Sequence, residues 1–448
     1  MSNAPNHAAR VNLHVTKLAS LAERSVRTAF LDNLVSRRQR RQDDVGGLER
    51  FAIEAVPRFG DDDDPVPIVK DEVLVIEADQ GRRNRVRTQL DGFDSVTQAD
   101  LPPGVLRLRA RRPTQSRERV RSLRKGGFNV SPNHVAVLGG TIKGGATPEL
   151  TDEAPPPMNH SAATHPLVIV IDTGAAAATL GMAAAPQANR DDHWLNQWEL
   201  ADGDNRNIDP LDVLAPSGLD LAAGHGTFVA GVVRQVSGSA RIVMVRAFDT
   251  DGVSTEATIA QSIMRAATIF EQNGGGGVLN LSFGLETIDG QEPAVLRAAL
   301  DQLPDNVLVV AAAGNAPINR PFWPAASDRV LGVAALKEDG TTPAEWSNYG
   351  PWVDVSVRGE GVVSPFVEGV ETQGSGAPGD PFDPQPDTFL GPNPFAVWSG
   401  TSFATAQVAG QLANMLADDP ELSRDEATSE LQARGTASQN HGSILSIL

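Results

Sequence analysis

Four polar residues of the chain have the side-chain types that acyl transfer requires. Asp172 ends the apolar stretch LVIVID, His225 stands between glycines in AAGHGTFVAG, Asn315 ends VVAAAGN, and Ser402 follows Gly-Thr in GTSFATAQVAG. A hydroxyl can act as nucleophile, an imidazole can take its proton, a carboxylate can orient that imidazole, and N–H groups can stabilise an oxyanion. The set therefore contains the parts for acyl transfer with a hydroxyl nucleophile.

Each of these residues also has an ordinary structural interpretation. Asp172 could cap a helix or bind a metal or a ribose, and His225 could simply begin a helix. Asn315 is a common turn residue, and Ser402 has the position of a helix cap. The catalytic interpretation depends on all four residues occurring together.

The elements around these residues predict a parallel sheet with helices on both faces. Near-continuous apolar strands at 167–172, 241–248, 277–284, 307–315 and 329–336 are interleaved with helical segments such as 255–272. Strands of this kind are typical of sheets that are buried on both faces. Such sheets bind ligands at the carboxyl ends of their strands, where Asp172 and Asn315 lie.

The first 163 residues have a different pattern. An amphipathic helix is predicted over 16–36 and an exposed linker at 59–65, where the sequence reads FGDDDDP. A small α/β module follows, with strands at 70–79, 104–111 and 133–140, helices at 84–93 and 116–127, and a second linker at 141–163. By itself this module predicts no function.

The motifs IDTG, GHGTFVAG, AAAGN and SGTSFATAQVAG, in this order, resemble those of the subtilisin-like serine peptidases over residues 165–418. The resemblance implies that Asp172, His225 and Ser402 form a catalytic triad and that Asn315 and the Ser402 N–H bind the oxyanion. It implies a doubly wound, mostly parallel α/β sheet, with LSFG and WSNYG as further matching segments. The substrate-binding residues that follow from it are Ser282, Phe283, Gly284, Ala313, Gly314, Phe322 and Trp323.

The module before the linker resembles the inhibitory propeptides of this family. The predicted division is an N-terminal helical extension at 1–60, a ferredoxin-like propeptide domain at 61–140, the linker at 141–163, and a catalytic domain at 164–448 with a Gly/Pro-rich insertion at 359–396. We expect self-cleavage near Gly140–Thr141, because the tail of the last strand would enter the substrate cleft. Phe322 and Trp323 predict a preference for small or medium apolar residues before the scissile bond.

Composition limits the partners of the chain. Residues 1–150 contain 25 Lys and Arg against 19 Asp and Glu, whereas residues 151–448 contain 13 against 37. A basic propeptide on an acidic catalytic domain fits this division, and the acidic bulk argues against nucleic acid. There are no cysteines and no apolar run of membrane-spanning length. The N-terminus lacks the apolar region of a signal peptide, which predicts a cytoplasmic protein and leaves secretion open.

The expected chemistry requires no cofactor and assigns no metal ligand, and the partners expected are a protein or peptide substrate and the propeptide itself. The acidic stretch DGDNRNIDPLD at 202–212 is a candidate for structural calcium. Two alternatives stay open: a regulated intracellular protease directed to one substrate by residues 1–60, and a catalytically silent binding module on a protease fold. The GGGG at 274–277 is not followed by the Lys of a phosphate-binding loop, which argues against a nucleotide site.

Overall fold

A computed structural model describes residues 31–32, 35, 48–49, 51–96, 100–138, 148–151, 165–176, 198–211, 218–370, 387–391 and 394–448. The strands are β1 Ile53–Arg58, β2 Asp61–Ile76, β3 Phe93–Ser95, β4 Val105–Ala110, β5 Val130–Leu138, β6 Glu149–Thr151, β7 Leu167–Asp172, β8 Ala175–Ala176, β9 Trp198–Leu200, β10 Ile208–Asp209, β11 Arg241–Arg246, β12 Val253–Thr255, β13 Gly277–Leu281, β14 Phe283–Gly284, β15 Val307–Ala312, β16 Leu331–Leu336, β17 Val355–Arg358, β18 Val362–Pro365, β19 Gly369–Val370, β20 Thr388–Phe389, β21 Phe395–Trp398, β22 Thr436–Ser438 and β23 Gly442–Ile444. The helices are α1 Gln80–Gln89, α2 Ser116–Lys125, α3 His225–Val236, α4 Glu256–Gln272, α5 Ala294–Leu300, α6 Thr401–Asp418 and α7 Arg424–Arg434.

The main sheet has the strand order β22-β23-β17-β16-β15-β13-β7-β11-β9. All neighbours in it are parallel except β22 and β23, which form an antiparallel pair. Along β7 the side chains alternate between two cores: Val168 and Val170 pack with α3 and α6, and Leu167, Ile169 and Ile171 pack with α4 and α5. Burial on both faces explains the near-continuous apolar strands of the sequence.

The order of the central strands creates a crevice at their carboxyl ends. The chain passes from β7 to its neighbour β11 on one side and later returns to β13 on the other side of β7. Such a reversal of direction separates the loops that follow adjacent strands and leaves a binding crevice between them. Asp172 is the last residue of β7, and Asn315 follows the end of β15.

The N-terminal domain, described from residue 51 to 138, is an antiparallel sheet covered by two helices. Strand β2 pairs with β1, β4 and β5, and β4 pairs with β3. Helices α1 and α2 bury Val86, Val120 and Leu123 against this sheet. The alternating strands and helices predicted for this module are therefore present, and their ends differ from the predicted ones by a few residues.

Two features of this domain differ from the prediction. The sequence FGDDDDP does not form a linker, because β2 begins at Asp61 and pairs with β1 across a tight turn. β1 lies before the predicted domain start at residue 61, since its pairing with β2 outweighs the charge run between them. Of the helix predicted at 16–36, Leu31, Asp32 and Val35 are described and are helical, and the rest lies outside the described residues.

The predicted linker and insertion contain ordered strands that meet each other. Within 141–163 the structure describes β6, which pairs with β21, and β21 pairs in turn with β18. β18 and the first half of β21 belong to the predicted insertion at 359–396, which therefore adds a small sheet beside the catalytic domain. Within the described parts of the chain, no helix combines the length and the apolar character needed to cross a bilayer.

Candidate active site

Asp172 and His225 form a buried acid–imidazole pair at the carboxyl end of β7. His225 Nδ1 lies 2.8 Å from Asp172 Oδ1 and 3.0 Å from Asp172 Oδ2. Asp172 is fully buried. Because an ionised carboxylate can only accept hydrogen bonds, this contact puts the proton of the neutral ring on Nδ1 and leaves Nε2 as the basic nitrogen.

Glycines allow the helix that carries His225 to approach the end of β7. Gly224 precedes α3 with φ at 77°, in the left-handed region that favours glycine. A Cβ added to Gly226 would lie 2.3 Å from the carbonyl oxygen of Gly174. The backbone on both sides of His225 is therefore held where only glycine fits, which fixes the position of the imidazole.

A second carboxylate, Asp209, binds the backbone around His225 from behind. Asp209 Oδ2 accepts hydrogen bonds from the Gly224 N–H at 2.9 Å and from Thr173 Oγ1 at 2.8 Å. Thr173 Oγ1 accepts in turn from the Gly226 N–H at 3.1 Å. Burial raises the pKa of Asp209 to about 6, although these hydrogen bonds and the nearby Arg246 oppose the shift.

Ser402 lies in the first turn of α6 and is bound reciprocally to Ser282. The Ser402 hydroxyl donates to the Ser282 carbonyl oxygen at 3.0 Å, and the Ser282 hydroxyl donates to the Ser402 carbonyl oxygen at 3.0 Å. Ser282 separates β13 from β14, so this pair joins the end of the central sheet to the start of α6. The free N–H groups and the dipole of a helix start favour negative charge at this position.

Thr401 orients the amide of Asn315. Asn315 Oδ1 accepts from the Thr401 backbone N–H at 3.0 Å and from Thr401 Oγ1 at 2.8 Å. Thr401 Oγ1 also accepts from the Gly314 N–H at 3.1 Å. Because the amide oxygen is used for Thr401, the NH₂ group faces away from it, and a Cβ added to Gly400 would lie 3.6 Å from Asn315 Nδ2.

Asn348 fixes the loop that carries Asn315. Its Nδ2 donates to the Ala313 carbonyl oxygen at 2.8 Å, and its Oδ1 accepts from the N–H groups of Ala316 and Ile318. The Asn348 N–H donates to the Gly314 carbonyl oxygen. Ala313 and Gly314, which the sequence assigns to substrate binding, therefore form a rigid wall of the crevice.

Aromatic side chains surround the imidazole. The ring of Trp398 meets His225 edge-on at 5.4 Å between centroids, and the ring of Phe403 lies at 5.6 Å. Trp398 is the last residue of β21, the strand that begins at the end of the insertion, so this strand brings an aromatic ring to the site. A Cβ added to Gly231 of α3 would lie 2.4 Å from Ser364 Oγ of β18, which shows how closely the insertion packs on the His225 helix.

The N-terminal domain places its last strand in this crevice. β5 pairs antiparallel with β12 on one side and with β14 on the other. In this register Leu138 lies opposite Phe283, Val137 lies opposite Gly284, and the Leu138 N–H donates to the Gly252 carbonyl oxygen at 3.2 Å. Two strands of the C-terminal part, β12 and β14, thus complete a sheet that begins in the N-terminal domain.

Buried polar contacts hold the beginning of β5 against α4. His134 Nδ1 lies 2.6 Å from Glu256 Oε2, and both side chains are buried. His134 Nε2 accepts from the Ile288 N–H at 3.3 Å, and Asn133 Oδ1 accepts from the Ala257 N–H at 3.1 Å. These contacts are specific to the docked strand, because each joins the N-terminal domain to the C-terminal part.

Two aspartates of the acidic stretch at 202–212 bind arginines. Asp202 binds Arg265 at 2.8 Å, and Asp204 binds Arg206 at 2.6 Å. In the part of the chain that the structure describes, no three His, Asp or Glu side chains converge as they would around a metal ion.

The structure thus brings Asp172, His225, Ser402 and Asn315 to one edge of the sheet, with Ser282, Phe283 and Gly284 beside them. Phe322 and Trp323 form the wall next to Leu285. Gly140 and Thr141, the predicted cleavage site, lie outside the described residues.

Sequence reasoning missed the supporting residues Thr173, Asp209 and Thr401. Thr173 and Thr401 stand directly next to Asp172 and Ser402 in the recognised motifs, and this adjacency was the available signal. Asp209 was considered only as part of the candidate calcium site.

The Subtilase family (Peptidase S8) profile matches residues 164–443, more than half of the chain. The chain therefore belongs to this family of subtilisin-like serine peptidases.

Two proteins of similar sequence are named as proteases, which supports the assignment to this family. The thermophilic serine proteinase of Bacillus sp. (strain AK1) is 32% identical over 223 residues, which cover 48% of this chain and 45% of that protein. The cell wall-associated protease of Bacillus subtilis (strain 168) is 32% identical over 219 residues, 47% of this chain and 21% of that protein. The chain thus spans less than half the length of these two relatives.

The fold of the whole described chain has a solved counterpart. Fervidolysin from Fervidobacterium pennivorans, a keratinolytic enzyme related to subtilisin, superimposes with a TM-score of 0.58 and 16% sequence identity. The match covers 91% of this chain and 64% of fervidolysin. The expected subtilisin-like α/β fold, a mostly parallel sheet with helices on both faces, is confirmed.

Proposed function

We propose that this chain is a serine endopeptidase that hydrolyses peptide bonds through an acyl-enzyme on Ser402. The observation that carries the proposal is the hydrogen bond between His225 Nδ1 and the buried Asp172, at the crevice edge where Ser402 lies in the first turn of α6. A buried carboxylate stabilises the imidazolium that forms when Nε2 takes a proton. The chemistry of this set needs no cofactor.

In the proposed reaction the Ser402 hydroxyl turns from Ser282 to His225 Nε2 and attacks the peptide carbonyl carbon. His225 takes the hydroxyl proton and then gives it to the leaving amine, and a water molecule reverses these steps to release the acid. Negative charge on the tetrahedral oxygen is stabilised by the Asn315 NH₂ group and the Ser402 backbone N–H. The contacts of Thr401 with Asn315 support this orientation, since they occupy the amide oxygen.

We infer that the N-terminal domain is a propeptide that blocks the crevice until it is removed. The support is the antiparallel pairing of β5 with both β12 and β14, which is the way an extended peptide adds to two sheet edges. While β5 is in this position, a substrate strand cannot bind there. The basic first third of the chain and the acidic remainder add an electrostatic attraction to this docking.

We propose self-cleavage a few residues after Leu138, near Gly140–Thr141. Leu138 pairs with Phe283, and Ser282, one residue earlier, accepts the hydrogen bond from Ser402 Oγ. A chain that continues β5 therefore reaches the nucleophile shortly after Leu138. The next residues of the sequence are Gly139, Gly140 and Thr141.

The test compares the full chain, its Ser402→Ala variant and a control Ser446→Ala variant, in which an exposed serine is replaced. We expect the wild type and the control to be cut within the first few residues beyond Leu138, near Gly140–Thr141, and to react with a fluorophosphonate probe. Ser402→Ala should stay intact and unlabelled. Intact mass measurement and identification of new N-termini report the cut. Wild type that remains intact, unlabelled and still able to bind peptides would instead identify a silent binding module.

A further inference from the structure

Phe322 occupies the space between two glycines of the crevice wall. A Cβ added to Gly284 would lie 2.1 Å from Phe322 Cε1, and one added to Gly314 would lie 3.1 Å from Phe322 Cδ1. The ring is only 4% exposed, yet it belongs to neither of the two large core clusters. It is therefore buried against the backbone of β14 and of the Asn315 loop rather than in the interior of the domain.

The backbone beside Phe322 is fixed, so the ring cannot be moved aside easily. Trp323 and Leu285 exchange two backbone hydrogen bonds, at 2.9 and 2.8 Å. The Phe322 carbonyl oxygen accepts from the Ala326 N–H at 2.9 Å, and Trp323 is part of the core on the α4 side. A well-packed ring with an anchored backbone yields to an incoming side chain only at a cost in free energy.

The docked strand β5 shows which substrate side chain would meet this ring. Leu138 packs next to Gly252 and Ala222, on the side of the crevice that leads to α3 and His225. Successive side chains of an extended strand point to opposite sides. A substrate bound in the same register therefore directs its next side chain, that of the residue attacked by Ser402, towards Gly284 and Gly314, where the Phe322 ring lies.

We propose that Phe322 is a specificity-determining residue that closes this pocket, so that the peptidase cleaves after glycine, less well after alanine, and poorly after larger residues. The proposal rests on the proposed function and adds its substrate class. It narrows the preference expected from the sequence, small or medium apolar residues, to the smallest of them. The chain's own sequence agrees with it, since Leu138 is followed by two glycines.

The experiment uses quenched fluorescent peptides that carry the leader sequence Val-Ala-Val-Leu of residues 135–138 followed by a varied residue X. For the processed wild-type enzyme we expect kcat/KM to fall at least about 100-fold from X = Gly to X = Leu or Phe, since pocket size discriminates about 10- to 200-fold per added group. Phe322→Ala should raise the ratio of kcat/KM for X = Leu or Phe to kcat/KM for X = Gly about 100-fold, by the same reasoning.

Two further variants separate specificity from damage to the fold. Phe322→Leu keeps most of the packing and should widen the preference towards X = Ala. Phe270→Leu is the matched control, because the Phe270 ring also lies against a glycine, Gly277, at the opposite end of β13. It should lower stability and leave the preference unchanged.

Fluorophosphonate labelling distinguishes the two ways of failing, because the small probe does not need the pocket. An enzyme that is labelled but cleaves after Leu or Phe as fast as after Gly overturns the role of Phe322 and leaves the proposed function intact. Unchanged preferences in both Phe322→Ala and Phe322→Leu overturn it as well. Absence of labelling in the processed wild type overturns the proposed function itself.

Discussion

Replacing Asp209 by Asn tests the buried network behind His225. Asp209 is 2% exposed and accepts hydrogen bonds from the N–H groups of Gly224 and Leu211 and from Thr173 Oγ1. Asn keeps the size and one acceptor of the carboxylate but cannot ionise. The comparison therefore isolates the cost of burying the charge of Asp209.

The size and sign of this cost follow from its pKa. Burial raises the pKa from 3.8 to about 6, and a shift of roughly two units corresponds to about 3 kcal/mol. Below about pH 4 Asp209 is protonated in both the folded and the unfolded chain, so its ionisation costs nothing. As the pH rises through about 6 the folded state must hold a buried charge, and this contribution to stability is lost.

Urea denaturation at pH 4, 5, 6 and 7 measures the effect in a Ser402→Ala background, which prevents self-digestion. The free energy of unfolding of this parent, relative to the same protein with Asp209→Asn, should fall by about 2 kcal/mol between pH 4 and pH 7, because Asp209 of the unfolded chain is already partly ionised at pH 4. Groups common to both proteins, including His225, Asp172 and Arg246, cancel in the difference. Asp305→Asn, at an exposed position, should follow the parent at every pH. Parallel curves for the parent and Asp209→Asn would refute the burial argument.

Two further predictions concern the oxyanion site and the docked strand. Thr401→Val removes the hydroxyl that orients Asn315. It should lower kcat about 10-fold, because a net hydrogen bond contributes about 1–1.5 kcal/mol, and leave KM nearly unchanged. Thr401→Ser should restore kcat, and an equal loss of kcat in both variants would contradict the orienting role. His134→Ala removes the buried contact with Glu256 and should raise the dissociation constant of the cleaved N-terminal domain about 10- to 100-fold, measured as recovery of activity on dilution. Gln89→Ala, exposed on α1, is its control, and an unchanged dissociation constant for His134→Ala would show that this contact does not hold the strand.

The sequence predicted the central strands well because their pattern follows directly from burial. The strands β7, β11, β13, β15 and β16 are near-continuous apolar runs that lie between two layers of helices, so local composition and tertiary environment agree. The pattern failed at β1 and at the start of β2, where four successive aspartates follow a tight turn. There the hairpin is stabilised by backbone pairing that places Arg58 opposite Asp61. The run of charged residues in the sequence gives no sign of this pairing.

The candidate site also contains residues that local sequence motifs reveal and residues whose roles depend on the tertiary fold. The residues proposed for chemistry stand in short, ordered motifs, so their types and order were sufficient to propose them from the sequence. The residues that hold them in place are scattered: Asp209 lies 16 residues before His225 in sequence, and Asn348 lies 33 after Asn315. Their roles arise only when β10 joins β8 beside β7 and when the loop after β16 returns to β15.

Phe322 shows that the sequence can locate the crevice wall but cannot show how far that wall closes the pocket. Its distance from Asn315 along the chain indicated a place near the specificity pocket, whereas the extent of closure depends on the ring lying between Gly284 and Gly314. Those glycines are spaced by the parallel pairing of β13 with β15, a long-range feature. The same pairing holds the substrate edge and the Asn315 loop at a fixed separation. One aromatic ring in that gap is therefore sufficient for the proposed selection of the residue that precedes the scissile bond.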